Sequence, residues 1–181
     1  CAAGIADGGS AWSAAMSGDG RPALEIPKAD GLRVGVVATS WHAEITDVLL
    51  ERALWAATEA GVSEPTVVRV PGAIELAVVA KELATSHDAV VALGAVIRGG
   101  TPHFDYVCES VTSGLTRVAL DAGVPVGNGV LTCDSIEQAR ARSGVEGAAE
   151  DKGAETMAAA LSTALVLRRL RVPGGRMGFG R

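Results

Sequence analysis

The chain has 181 residues, the length of a single domain, and 48% of them are apolar, so it can bury a sizeable core. Only 3% are aromatic, so that core must be aliphatic, which suits a parallel sheet covered by helices. The net charge of −5, with both signs interspersed, argues against a nucleic-acid surface. The most apolar stretch, Met157 to Leu167, is too short to span a membrane.

The two ends of the chain are rich in small residues and show neither the helical nor the strand periodicity of apolar residues. We expect residues 1–31 to be a flexible arm, in which Leu24-Glu25-Ile26 could form a short strand that pairs with another sheet edge. Residues 172–181 contain Pro173 and several glycines, which favours a flexible tail. Residues 32–171 are left as the folded domain.

Strands and helices alternate between these ends. In chain order we predict a strand at 33–38, a helix at 42–60, a strand at 66–70, a helix at 73–86, a strand at 89–95, a helix at 101–121, a strand at 125–131, and helices at 135–143 and 151–171. This order predicts an α/β fold with three layers, in which helices flank a four-stranded parallel sheet, flavodoxin-like, plus the short N-terminal strand.

Ligands bind outside the carboxyl ends of the strands in sheets of this kind. Four segments therefore converge on one edge of the predicted sheet: 39–42, 71–75, 96–103 and 131–132. The richest of them is the turn from Arg98 to His103. Its two glycines leave backbone amides accessible, Thr101 adds a hydroxyl, and a helix begins there, which together favour anion binding. An ordinary turn capped by Thr101 is the structural alternative.

Single side chains at this edge have both functional and structural interpretations. His103 could move protons, since a helix N-terminus disfavours the imidazolium, or it could cap or pack. Trp41 could stack on a flat ligand or pack beneath a helix. Glu75 could accept hydrogen bonds from ligand hydroxyls or cap its own helix. Arg142 and Lys152 could contact a phosphate or remain solvated.

The remaining reactive side chains indicate little chemistry. Cys1, Cys108 and Cys133 form no disulfide framework, and we interpret them as reduced thiols without an activating base nearby. Three scattered histidines argue against a zinc site. The first residues lack the basic-then-apolar pattern of a secretory signal, so we expect a cytoplasmic protein.

Several separated motifs follow one another along the chain. They are the run from Gly94 to Val107, GAVIRGGTPHFDYV, residues 71–75, PGAIE, and the stretches 136–139 and 151–153 together with Arg142. The first is similar to the signature of the lumazine synthase family of the riboflavin pathway, the second resembles that family's second motif, and the others resemble its C-terminal part. The match covers about residues 32 to 170 in consistent order.

The resemblance implies a transferase that condenses 5-amino-6-(D-ribitylamino)uracil with 3,4-dihydroxy-2-butanone 4-phosphate. Phosphate and water leave, and 6,7-dimethyl-8-ribityllumazine forms in the penultimate step of riboflavin biosynthesis. No metal or organic cofactor is implied. The family assembles as homopentamers with active sites between subunits, and some members build larger shells. The long loop between Arg142 and Lys152 favours a free pentamer here.

For the pyrimidine, the resemblance implies that Trp41 stacks on the ring and that Glu75 binds the ribityl hydroxyls. His103 would shuttle protons. Backbone groups of four residues would hold the ring and its polar substituents, namely Ala73, Ile74, Val96 and Ile97.

For the second substrate, the resemblance implies that Gly100 and Thr101 hold the phosphate, with Arg142 as counter-charge and Lys152 near the ligand. Asn128 would close the site from the neighbouring subunit. A binding module without turnover and a shell or scaffold protein with a vestigial site are the alternatives, which turnover and mass in solution would distinguish.

Overall fold

A computed structural model describes residues 23–172, which contain four strands and five helices. In chain order these are β1 (Val34–Thr39), α1 (Ala43–Glu59), β2 (Thr66–Val70), α2 (Leu76–Leu83), β3 (Ala89–Ile97), α3 (His103–Ala122), β4 (Val126–Cys133), α4 (Ile136–Arg140) and α5 (Lys152–Arg171). Most of the predicted arm and tail, residues 1–22 and 173–181, lie outside the described residues.

The four strands form one parallel sheet in the order β2-β1-β3-β4. Successive residues of a strand face opposite sides, so the sheet has a core on each face. Val36, Val91 and Leu93 belong to the core beneath α1 and α5, whereas Val37 and Val90 belong to the core beneath α2 and α3. The predicted three-layer α/β fold is confirmed.

Three of the boundaries that differ from the sequence prediction affect the predicted binding edge. α2 begins at Leu76 because Pro71–Glu75 forms a turn before it, and β3 continues through Ile97. α3 begins at His103 with Pro102 at its N-cap, so the prediction of Thr101 as the cap is wrong. These shifts place Val96 and Ile97 on a strand and His103 on the first helical residue.

The segment Leu24-Glu25-Ile26 is not a strand in this single chain. Strand pairing with the sheet edge of a second copy therefore stays a prediction. Within residues 23–172, none of the helices combines the length and the apolar character needed to cross a membrane.

Candidate active site

A pocket of about 350 Å³ opens at the carboxyl ends of β1, β2 and β3, and we call it the strand-end pocket. It brings together eight of the twelve predicted site residues: Trp41, Ala73, Ile74, Glu75, Val96, Ile97, Thr101 and His103. Their common origin is the convergence of parallel strand ends, which turns three distant chain segments into one wall.

Trp41 is 68% exposed at this pocket, so the alternative of a tryptophan packed beneath a helix is excluded. It is the second residue after β1 and lies next to His42, whose backbone is left-handed with a φ of 54°. The two rings meet edge to face with 6.3 Å between their centroids. A large aromatic surface is therefore available for a flat ligand to stack upon.

Glu75 is exposed and forms a short local contact. Its Oε2 accepts a hydrogen bond of 3.0 Å from the Gly72 backbone N–H, which ties the turn before α2 together. A carboxylate has about four acceptor positions, so this bond leaves capacity for ligand hydroxyls. The Glu75 side chain accepts no hydrogen bond from α2, so the structural alternative of a carboxylate that caps its own helix is wrong.

The turn between β3 and α3 is open to solvent. Neither Gly99 nor Gly100 has a left-handed backbone, and a Cβ added to either would meet open space. Gly99, Thr101 and His103 line the strand-end pocket, and Gly100 is exposed between them. No neighbour among residues 23–172 requires glycine at 99 or 100, so the space beside both can accommodate a ligand or another chain.

Arg98 lies in this turn and forms ion pairs with two aspartates. Its Nε donates to Asp134 at 2.7 Å and its Nη1 to Asp105 at 3.1 Å, and the hydrogen bond to Asp134 raises the pKa of Arg98. The guanidinium lies 4.1 Å from the centre of the Phe104 ring, which itself lines the pocket. Sequence reasoning missed Phe104, although it lies within the signature motif.

The remaining predicted residues Asn128, Arg142 and Lys152 lie elsewhere, along the edge strand β4. Together with residues 129–133 they line a second depression of about 350 Å³, which we call the edge patch. The Asn128 Oδ1 accepts from the Val130 backbone N–H at 3.1 Å. The edge patch shares no lining residue with the strand-end pocket.

Both cations of the edge patch face one carboxylate. Arg142 Nε lies 3.5 Å from Glu150 Oε1, and Lys152 Nζ lies 2.5 Å from Glu150 Oε2. Lys152 also donates to Glu155 at 3.0 Å. Partial burial acts to lower the pKa of Lys152, but the hydrogen bonds to Glu150 and Glu155 offset it, so the pKa is raised. Lys152 therefore stays charged at neutral pH.

The thiols of Cys108 and Cys133 are not activated. Cys133 is buried at the end of β4 and Cys108 is half-buried on α3, and burial raises the pKa of each. In the part of the chain that the structure describes, no group of three or more His, Cys, Asp or Glu side chains could hold a metal ion. Among the predicted site residues, the ionisable side chains are His103 and Glu75 at the strand-end pocket and Arg142 and Lys152 at the edge patch.

Comparison with known proteins identifies the family. A family model described as 6,7-dimethyl-8-ribityllumazine synthase matches residues 31–168. The chain belongs to this family. The matched range contains every residue of the strand-end pocket and of the edge patch.

Individual lumazine synthases are similar over most of their length. The enzyme of Saccharopolyspora erythraea is 71% identical over 164 residues, which cover 91% of this chain and 99% of the relative. The lumazine synthase of Frankia casuarinae is 64% identical, covering 88% of this chain and the whole relative. That of Thermobifida fusca is 64% identical and covers 89% of this chain and 94% of the relative.

Proposed function

We propose that this chain is a transferase that condenses 5-amino-6-(D-ribitylamino)uracil with 3,4-dihydroxy-2-butanone 4-phosphate to give 6,7-dimethyl-8-ribityllumazine, phosphate and water. The observation that carries the proposal is the strand-end pocket, where an exposed tryptophan, a carboxylate and a histidine meet three strand ends in a lumazine synthase family member. Named relatives at 61–71% identity support the same activity.

The pocket suits the pyrimidine. Trp41 would stack on the ring, while backbone groups of Ala73, Ile74, Val96 and Ile97 would hold the ring and its polar substituents. Glu75 would bind the ribityl hydroxyls, since its carboxylate is exposed and only partly used by Gly72. The aromatic surface would supply stacking energy, and the polar groups would set the orientation.

The chemistry needs orientation and proton transfer more than a strong nucleophile. The substrate arylamine adds to the ketone and loses water to form an imine, and phosphate then leaves by elimination. The ribitylamino nitrogen adds to the remaining carbonyl, and a second water leaves as the ring closes. His103 would move protons between these steps from the first turn of α3. Holding the two substrates together would contribute the larger factor, and proton transfer a smaller one.

The phosphate would be bound by groups from two subunits. Gly100 and Thr101 would present backbone and hydroxyl donors, and Arg142 and Lys152 of a neighbouring copy would provide the charge. Asn128 would close the same site. This arrangement is supported by the separation of the strand-end pocket from the edge patch within one chain.

A homopentamer with sites between subunits would satisfy this requirement. Large apolar side chains on the described surface support an oligomer: Val78 is 68% exposed, Tyr106 is 70% exposed and Leu120 is 76% exposed. Leu24–Ile26 could add to a neighbour's sheet edge. We place the enzyme in the cytoplasm, in keeping with the two free thiols Cys108 and Cys133.

The direct test mixes purified chain with both substrates and follows the fluorescence of the lumazine product. We expect product to form well above the uncatalysed rate without added metal or cofactor. A reaction no faster than the protein-free control would overturn the proposal. Mass measurement in solution tests the assembly, and a monomer at assay concentration would contradict the shared site.

A further inference from the structure

The first turn of α5, which carries Lys152, lies directly on α1. A Cβ added to Gly153 would clash with the Leu49 carbonyl oxygen and would lie 2.9 Å from the Arg52 Cβ. Only glycine permits such a close approach of two helices. The packing of α5 on α1, rather than the sheet edge beside Lys152, therefore determines where Lys152 lies.

Backbone hydrogen bonds join the segment of Arg142 to that of Lys152. The Lys152 N–H donates to the Arg142 carbonyl at 3.0 Å, and the Glu150 N–H donates to the Ala141 carbonyl at 3.0 Å. An antiparallel bridge pairs Ser143 with the intervening Asp151. Whatever fixes Asp151 thus fixes the spacing of both cations.

Asp151 is fixed by α1. Arg52 Nε donates to Asp151 Oδ2 at 2.6 Å, and the side chains are 31% and 22% exposed. Asp151 Oδ1 accepts from the Ala154 N–H at 3.0 Å, and the Asp151 N–H donates to Glu155 Oε1 at 3.2 Å, which makes a reciprocal helix cap. The Arg52 guanidinium also lies 4.2 Å from the centre of the Trp55 ring.

We infer that Arg52, which lines neither the strand-end pocket nor the edge patch, is a positioning residue for the phosphate-binding cations. It holds Asp151, and Asp151 sets Arg142 and Lys152 through the backbone bonds between the two segments. The inference rests on the proposed function, because it assigns the edge patch to the phosphate of the four-carbon substrate. A misplacement of about 1 Å is enough to weaken such a contact severely.

The test uses the full chain with Arg52→Met, which keeps an aliphatic side chain against Trp55 and removes the ion pair. We expect KM for the phosphorylated ketone, and the inhibition constant of inorganic phosphate, to rise about tenfold. Because the strand-end pocket is untouched, kcat and KM for the pyrimidine should stay within about twofold of wild type. Arg52→Lys should restore part of the phosphate affinity, since the charge remains but the planar donor is lost.

Asp151→Asn is a second variant that keeps the test decisive if Arg52→Met fails to fold. Asparagine still accepts the Ala154 N–H as a good N-cap, but it no longer pairs with Arg52 as an anion. It should reproduce the selective KM effect, and the double variant with Arg52→Met should be no worse than either single one. Arg117→Met is the matched control, because Arg117 Nε forms an ion pair with Asp121 Oδ2 at the same 2.6 Å and both of these α3 side chains are exposed.

The outcomes separate the two proposals. An inactive wild-type chain overturns the proposed function and this inference together. An active wild type with unchanged phosphate constants in both Arg52→Met and Asp151→Asn overturns the inference alone. Equal losses for pyrimidine and phosphate would also contradict it, since they indicate a general structural role for Arg52.

Discussion

The strand-end pocket and the edge patch are built in different ways. The pocket consists of backbone at three strand ends plus side chains whose placement follows from the sheet. The patch consists of β4 residues 128–133 together with Arg142 and Lys152, which both pair with Glu150. Backbone at the strand ends therefore shapes the half that would bind the ring, whereas the half that would bind phosphate also depends on ion pairs, and the two halves should respond differently to substitution, salt and pH.

The largest expected effect separates chemistry from binding within the pocket. Replacing His103 by Ala removes the proposed proton carrier, and kcat should fall about 100-fold. Product affinity should change little, because Trp41 and the strand ends remain. Stopped-flow fluorescence measures turnover and equilibrium titration measures binding. The control is His87→Ala, at the opposite end of the strands from the pocket, where His87 forms hydrogen bonds with Thr66 and with the Leu83 carbonyl. If His103→Ala turned over as fast as wild type, another group would move the proton.

Removing charge from the edge patch should come next. Lys152→Met deletes a charge-assisted contact, so KM for the phosphorylated ketone should rise about 10-fold to 100-fold. KM for the pyrimidine should hold. Wild-type KM for the ketone should also rise with added salt, since the contact is ionic. Steady-state kinetics with each substrate varied in turn gives both constants. A rise confined to the pyrimidine would reverse the assignment of the two halves.

Trp41 offers a smaller, purely affinity-based test of the pocket. Trp41→Leu should weaken product binding about tenfold, because aromatic stacking on a base contributes 1–3 kcal/mol or so. The melting temperature should stay close to wild type, since the side chain is 68% exposed. Trp41→Phe is the matched variant and should retain most of the affinity. Equal losses in the two variants would argue against stacking.

The smallest effect concerns pH and applies only to the patch. Because the folded pKa of Lys152 is raised, its ion pairs stabilise the fold fully below the unfolded value of 10.5 and lose this contribution as pH rises through the folded pKa. Lys152→Met should therefore lower the free energy of unfolding by about 0.5 kcal/mol at pH 7. The difference should shrink above pH 10.5 in denaturant titrations. The stability of Trp41→Leu relative to wild type should show no such trend with pH. If the stability difference between Lys152→Met and wild type persisted above pH 10.5, the assignment of that difference to the Lys152 ion pairs would be contradicted.

Much of the pocket could be predicted from the sequence because each of its segments is local. Trp41, Glu75 and His103 each follow a recognisable strand, and parallel topology then forces them to one edge. Residues 73–75 were predicted as the start of a helix, but they belong to a turn that the hydrogen bond from the Gly72 N–H to Glu75 closes. Phe104 was missed because both its place in the pocket wall and its contact with the Arg98 guanidinium become visible only in the fold.

The patch was less predictable because its contacts are long-range. Arg142 and Lys152 look like ordinary surface charges until Glu150 brings them together. Arg52 and Asp151 are 99 residues apart, and no motif links them. Nor does a single chain indicate which surface of another copy faces its own pocket.

The central claim, that one site uses the strand-end pocket of one subunit and the edge patch of its neighbour, is tested most directly by complementation. The His103→Ala and Lys152→Met chains are co-expressed with different tags and purified as mixed oligomers. Each parent should be almost inactive at a low concentration of the phosphorylated ketone. If each site takes one half from each neighbour, random 1:1 mixing restores about a quarter of the sites to two intact halves, and activity rises accordingly. Mixed oligomers no more active than the average of the two parents would contradict the claim.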